Sequence, residues 1–189
     1  MLIGLTGEAG SGKDTVGDIL CSLTYPLFTR IAFADPMKTY LPKILGVSEK
    51  WFTERLLKET KMGVFNKTPR YIMQTFGTEW GRQMIAPDIW EQVLRSRVLQ
   101  MFADDTFANI VVTDVRFESE ALMINQLGGH VLRVQRDHNP HRIDATHESE
   151  KPLDDKYVAD IIMNNGTLKD LQATVEYVLM LQPVEETSG

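Results

Sequence analysis

Cysteine is nearly missing from this sequence: Cys21 is the one thiol in 189 residues. An intramolecular disulfide and a cysteine-built zinc site are both excluded, and a reducing compartment is expected. No apolar run approaches the roughly 18 residues of a spanning helix. No basic stretch followed by an apolar one opens the chain; Leu2 begins a strand-like run directly, so a cytoplasmic protein is expected. Positive charge is in deficit, with 20 Lys and Arg against 26 Asp and Glu and a net charge of −6. That balance argues against a general nucleic-acid or membrane binder. Repeats and low-complexity segments are absent as well. At this length about 70% of the unfolded surface can be buried, so one domain spanning 1–189 is expected to fold without staples.

What is present reads as strands alternating with helices. Residues 2–6 form a short apolar run ending in glycine, the mark of a buried strand. A helix over 13–23 follows, with Val16, Ile19, Leu20 and Leu23 on one face. A second strand is expected over 28–33. Residues 36–102 then carry helical patterning without strand signals, broken into pieces by Pro42, Pro69 and Pro87, with Ser48 and Thr68 as N-caps. The β-branched run 109–113 predicts a central strand of a parallel sheet. A helix over 118–127 stops at Gly128-Gly129; strands over 131–135 and 158–163 and a helix over 168–181 follow. The order implies an α/β parallel sheet with helices on both faces, a helical insert at 36–102 and a long polar loop at 137–156. Ligands of such sheets bind beyond the C-terminal strand ends.

Gly7-Glu8-Ala9-Gly10-Ser11-Gly12-Lys13 matches the pattern G-x-x-x-x-G-K between a strand and a helix. Glycines let successive backbone N–H groups converge on phosphate oxygens, and the helix adds its positive N-terminus. Gly7, Ala9, Gly10, Ser11, Gly12 and Lys13 are therefore candidate nucleotide-binding residues. The hydroxyl residue that usually follows the lysine is replaced by Asp14, with Thr15 next as a phosphate donor. Asp14 either reaches Mg²⁺ through water or favours the helix N-terminus. Asp35 and Asp114 each follow an apolar run, a place where carboxylates of such proteins hold Mg²⁺ or its waters; Asp35 is equally suited to hold a sugar or accept a proton. Phosphoryl transfer between two anions also needs cations. Lys38, Arg70, Arg82, Arg116 and Arg136 stand at expected element starts or strand ends, and Arg133 and Arg142 have no assignment. His138, His141 and His147 share one polar loop but lack metal-ligand spacing. Trp51, Trp80 and Trp90, with Tyr71, Met73 and Phe76, read as core at helical spacing, one or two of them facing a base.

Taken together these residues resemble the deoxynucleoside monophosphate kinase family, best known from bacteriophages. The likeness spans nearly the whole chain. It rests on Lys13-Asp14-Thr15, Phe33-Ala34-Asp35-Pro36-Met37-Lys38, Gly77-Thr78-Glu79-Trp80-Gly81-Arg82, Thr113-Asp114-Val115-Arg116-Phe117, His147-Glu148-Ser149-Glu150 and Asn164-Asn165-Gly166-Thr167. The resemblance implies a P-loop kinase of three layers, α/β/α, that transfers phosphoryl from ATP to a deoxynucleoside monophosphate with Mg²⁺. It implies that Asp35, Lys38, Arg70, Tyr71, Gln74, Trp80, Arg82, Arg116 and Glu150 serve the acceptor. Asp114 and Asp14 would serve the metal, and Lys13, Asp35, Arg82, Arg116 and Arg136 the chemistry. Asn165 and Gly166 would lie near the adenine, and Arg136 with the loop 137–156 would be a lid-like loop over the phosphates. A phage source, and work in the host cytosol, is implied in the same way. Two other readings stay open on the sequence: a different small-molecule P-loop kinase, such as a dephospho-coenzyme A kinase, and a nucleotide switch or DNA-base kinase. The bases accepted and the oligomeric state, a homodimer included, are not legible in the sequence.

Overall fold

The computed structural model describes residues 1–23, 27–137 and 152–181. It divides into two compact units, one of residues 1–32 and 95–189 and the other of residues 33–94.

The first unit is built on five parallel strands in the order β2-β3-β1-β4-β5: β1 Leu2–Thr6, β2 Phe28–Ile31, β3 Asn109–Val112, β4 His130–Gln135 and β5 Asp160–Met163. The alternation of side chains along β1 sets the layers. Ile3 and Leu5 join Leu132, Val134 and Ile162 in a core with helix α1 (Lys13–Ser22) and helix α8 (Leu168–Leu181), through Val16, Ile19, Leu20, Leu171, Val175 and Val178. Gly4 faces the other way, where a Cβ would lie 2.6 Å from Ile124 of helix α7 (Glu118–Gln126). Glycine there lets α7 pack directly on the strand. The result is three layers, α/β/α, with each fully buried Val, Leu or Ile contributing about 1.5–3 kcal/mol. β1 is central, with β3 on one side and β4 on the other; the connection after β1 runs to β2 on one side, and the connection after β3 crosses to β4 on the other. Such a switch point opens a crevice at the C-terminal end of the strand. Cys21 packs against this core, and burial pushes its thiol pKa up, so it is no ready nucleophile.

The unit 33–94 is helical: α2 Asp35–Leu45, α3 Lys50–Thr53, α4 Arg55–Lys58, α5 Pro69–Gln74 and a wide π-helical segment Thr75–Ile85. The last ends where Ala86 N–H donates to Gly81 O, five residues back, at 3.0 Å. Helix α6 (Ile89–Asp104) starts in this unit and ends in the other.

Several expectations need correction. The second strand stops at Ile31, because its partner β3 ends at the paired Val112. Asp35 therefore does not end a strand; it opens α2, with Pro36 in the first turn. Pro42 does not break the chain. It sits buried inside α2, removing one N–H, and the helix ends instead at Gly46, whose φ of 66° is left-handed. Thr68 caps α5 as expected, accepting from Tyr71 N–H at 3.1 Å, whereas Ser48 lies one residue before the N-cap Glu49. No sequence signal announced the π-helical segment. Its glycines seat one ring: Cβ atoms at Gly77 and Gly81 would lie 3.3 Å from Met37 and 2.8 Å from Trp90, and Trp90 Nε1 donates to Gly77 O at 2.7 Å.

Candidate active site

β1 runs straight into the glycine loop, and the loop runs straight into α1. Gly7, Gly10 and Gly12 have φ of 140°, 80° and 108°, conformations that a side chain opposes. Space enforces the same choice at two of them. A Cβ on Gly7 would lie 2.2 Å from Val134 O, and one on Gly12 would lie 2.3 Å from Asn164 Nδ2. As the N-cap of α1, Gly12 brings no capping side chain, which leaves the helix N-terminus to an anion. Lys13 Nζ bends back over the loop to Gly7 O at 2.6 Å and Glu8 O at 2.8 Å. Ser11 Oγ is buried with no hydrogen-bond partner, an unsatisfied hydroxyl inside a loop shaped for phosphate. Ala9 and Thr15 are half-buried beside it.

Asp14 is engaged by Arg30, whose guanidinium also donates to Asp18 at 2.9 Å and to Thr113 Oγ1 at 3.3 Å. Arg30 was not among the expected residues; it lies on an exposed position of β2, and no pattern in the sequence pointed to it. Asp114 lies just past β3. Thr113 N–H donates to Ile31 O at 3.2 Å and Val115 N–H to Leu5 O at 3.1 Å, so the backbone on either side of Asp114 is tied to β2 and β1. Glu120, 3% exposed, accepts from the backbone N–H groups of Arg116 at 2.7 Å and Phe117 at 3.1 Å. That carboxylate fixes the turn that carries Asp114 and Arg116. Its position three residues past the helix N-cap is the signal for it.

At the opposite edge of the loop Asn164 donates to Ser11 O at 2.8 Å. Asn165 pairs twice with Asp137: its Nδ2 donates to the carboxylate at 2.7 Å, and its Oδ1 accepts Asp137 N–H at 3.0 Å. Gly166 stands against Asp170, which would lie 2.7 Å from a Cβ there. Arg136 is exposed beside Asp137. Arg133, left without a role by the sequence, is mostly buried; it donates to Leu153 O at 2.5 Å and pairs with Asp155, fastening 153–155 to β4. Glu150, the rest of 147–150 and most of the lid-like loop lie outside the described residues.

Within 33–94, Arg82 is mostly enclosed, donating to both oxygens of the buried Glu91 at 2.7 and 2.9 Å and to Pro87 O at 3.1 Å. Arg70 pairs with Glu59 at 2.5 Å. Tyr71 is exposed with Lys67 Nζ 4.3 Å above its ring. Trp80 is 39% exposed and stacks on Phe76 with centroids 4.3 Å apart, whereas Trp90 is 7% exposed. Asp35, Lys38 and Gln74 are half-buried.

Among the described residues no three His, Cys, Asp or Glu side chains are placed to hold a metal ion together. Isolated carboxylates fit Mg²⁺, which is commonly bound through one or two of them plus substrate phosphates. Asp114, just past β3, and Asp14, whose carboxylate faces a guanidinium, are the two expected for that role.

A central parallel strand that runs through a positive-φ glycine loop into a helix, with lysine in its first turn, defines a P-loop α/β protein. The family model for deoxynucleotide monophosphate kinase matches residues 54–175. The chain is 28% identical over 227 residues to the deoxynucleoside-5'-monophosphate kinase of Escherichia phage T5, covering 87% of this chain and 89% of that one. It is 31% identical over 185 residues to an Acanthamoeba polyphaga mimivirus protein described as a deoxynucleotide monophosphate kinase, covering 93% and 94%. Among solved structures it is similar to a dephospho-CoA kinase from Campylobacter jejuni, with TM-score 0.47, 16% identity and 95% of each chain covered. The chain belongs to the deoxynucleotide monophosphate kinase family.

Proposed function

We propose that the protein transfers the γ-phosphoryl group of ATP to deoxynucleoside 5'-monophosphates, giving ADP and the diphosphates. The observation that carries the reading is the glycine loop, whose backbone shape and buried Ser11 hydroxyl suit phosphate oxygens. Membership of the family supplies the acceptor class. In this reading the loop amides and Lys13 hold the ATP phosphates, with Thr15 beside them. Mg²⁺, when bound, offsets phosphate charge, and Asp114 and Asp14 are the carboxylates that would hold it or its waters. An acceptor monophosphate is already ionised at neutral pH, so positioning and charge offset carry most of the catalysis. Arg116 and Arg136 supply positive charge from the strand ends. Asp35, Lys38, Arg70, Tyr71, Gln74, Trp80 and Arg82 serve the acceptor. The viral relatives support work in the cytosol of an infected cell.

The test is a coupled assay of ATP with the four common deoxynucleoside monophosphates and their ribose counterparts. At least one deoxynucleotide should exceed its ribose partner in kcat/KM by about 10- to 100-fold, the limit for apolar rejection of one hydroxyl. Lys13→Ala should lower turnover at least about a hundredfold, about 2.7 kcal/mol, with the fold intact. Transfer to no monophosphate, or near-normal turnover in Lys13→Ala, sinks the reading.

A further inference from the structure

The glycine loop needs something to hold its shape before phosphate arrives. Part of the answer is local: Lys13 reaches two loop carbonyls, and Ser11 N–H donates to Glu8 O at 3.2 Å. The other part comes from the far end of the sequence. Asn164 sits just past β5, its own N–H fixed to Gln135 O at 2.8 Å. From there its side-chain amide donates to Ser11 O at 2.8 Å and lies against the Cα of Gly12, where a Cβ would come within 2.3 Å. A carbonyl and the N–H of the same planar peptide point in opposite directions. Fastening Ser11 O to Asn164 therefore turns Gly12 N–H away from Asn164 and fixes the plane of the Ser11–Gly12 peptide.

We infer that Asn164 is a positioning residue for the phosphate-binding loop: its amide presets the Ser11–Gly12 peptide so that the loop amides meet phosphate without rearranging. The inference rests on the reading of 7–13 as a phosphate loop. Asn164 directly precedes Asn165 and Gly166, the pair expected near the adenine, but its own contact is on the phosphate side. A preorganised donor gives up less free energy to ordering when its ligand binds.

The experiment compares two ligands by calorimetric titration without acceptor: ATP, and inorganic tripolyphosphate, which has phosphates but no base. Asn164→Ala removes the donor. It should weaken both ligands by the same factor, about five- to tenfold for one lost hydrogen bond at the loop. Asn164→Asp keeps size and shape but turns an oxygen on Ser11 O and adds negative charge, so its loss should be larger for both. Urea unfolding of each variant establishes that it is folded; should Asn164→Ala unfold, Asn164→Asp carries the same comparison. Folded variants that bind both ligands within twofold of wild type overturn the inference. So does a loss for ATP alone with tripolyphosphate unchanged, which would assign the residue to the base instead. Failure of the kinase reading looks different: the wild-type protein itself then transfers no phosphoryl group to any monophosphate.

Discussion

Arg82 and Glu91 form a closed ion pair, one guanidinium nitrogen donating to both carboxylate oxygens at 2.7 and 2.9 Å, with the two side chains 12% and 6% exposed. The π-helical segment carries the arginine and α6 the glutamate, so the pair ties two elements of the unit 33–94 together. Breaking a buried pair from one side leaves the remaining charge in a poor solvent. Arg82→Ala should therefore cost about 3–5 kcal/mol of stability, and Glu91→Gln, which keeps shape and some hydrogen bonding, roughly 1–2 kcal/mol. Urea unfolding measures both. If Arg82 also serves the acceptor, Glu91→Gln should raise KM for the monophosphate while ATP affinity moves less than about threefold. Equal stability of Arg82→Ala and wild type would refute the structural half of this.

A series of alanines at three glycines separates strain from collision. Gly46 has φ 66° with open space around it, so Gly46→Ala should cost about 1–2 kcal/mol from the left-handed backbone alone. Gly12→Ala adds a collision with the Asn164 side chain, which can move. Gly7→Ala meets the Val134 carbonyl of a central strand, which cannot. Unfolding free energies should rank Gly7→Ala most destabilised, then Gly12→Ala, then Gly46→Ala. A reversed order contradicts the geometry.

Trp80 and Trp90 should behave differently from one another. Trp90 is buried against Gly81 and bonded to Gly77 O, so Trp90→Ala should cost about 3–5 kcal/mol. Trp80 is partly exposed and stacked on Phe76; losing that stack should cost roughly 0.5–1.5 kcal/mol beyond its buried area. If Trp80 walls the sugar, Trp80→Ala should narrow the deoxyribose-to-ribose ratio in kcat/KM. An unchanged ratio moves that role to Tyr71 or Phe76.

Acid should loosen the start of α8. Asp170 accepts from Thr167 N–H at 2.8 Å and from Thr167 Oγ1 at 2.7 Å, and these bonds hold its carboxyl pKa below the ordinary 3.8. A lowered folded pKa means stability that is present above the unfolded value and disappears as pH falls through the folded one. Thermal melts of Asp170→Ala and wild type should differ near neutral pH and converge well below pH 3.8. A difference that persists undiminished in acid would show that charge is not involved.

Much of this protein could be read directly from local chemistry. The apolar run 2–6, the glycine spacing of 7–13 and the closing helix 168–181 are short-range patterns, and backbone sterics and helical periodicity translate each into an element without help from distant residues. The Thr68 cap belongs to the same class. What needed the tertiary structure was every decision made by partners far apart in sequence. Pro42 stays inside α2, although proline locally favours a break. The π-helical turn carries glycines whose Cβ positions are taken by Met37 and Trp90. Arg30 found Asp14 and Thr113, Arg133 found Leu153, and Asn164 found Ser11, 153 positions away. Arginine and asparagine carry no pattern that names their acceptors. A hydrogen bond is specified by geometry over 3 Å, and only the packing of strands and helices brings those atoms within that reach.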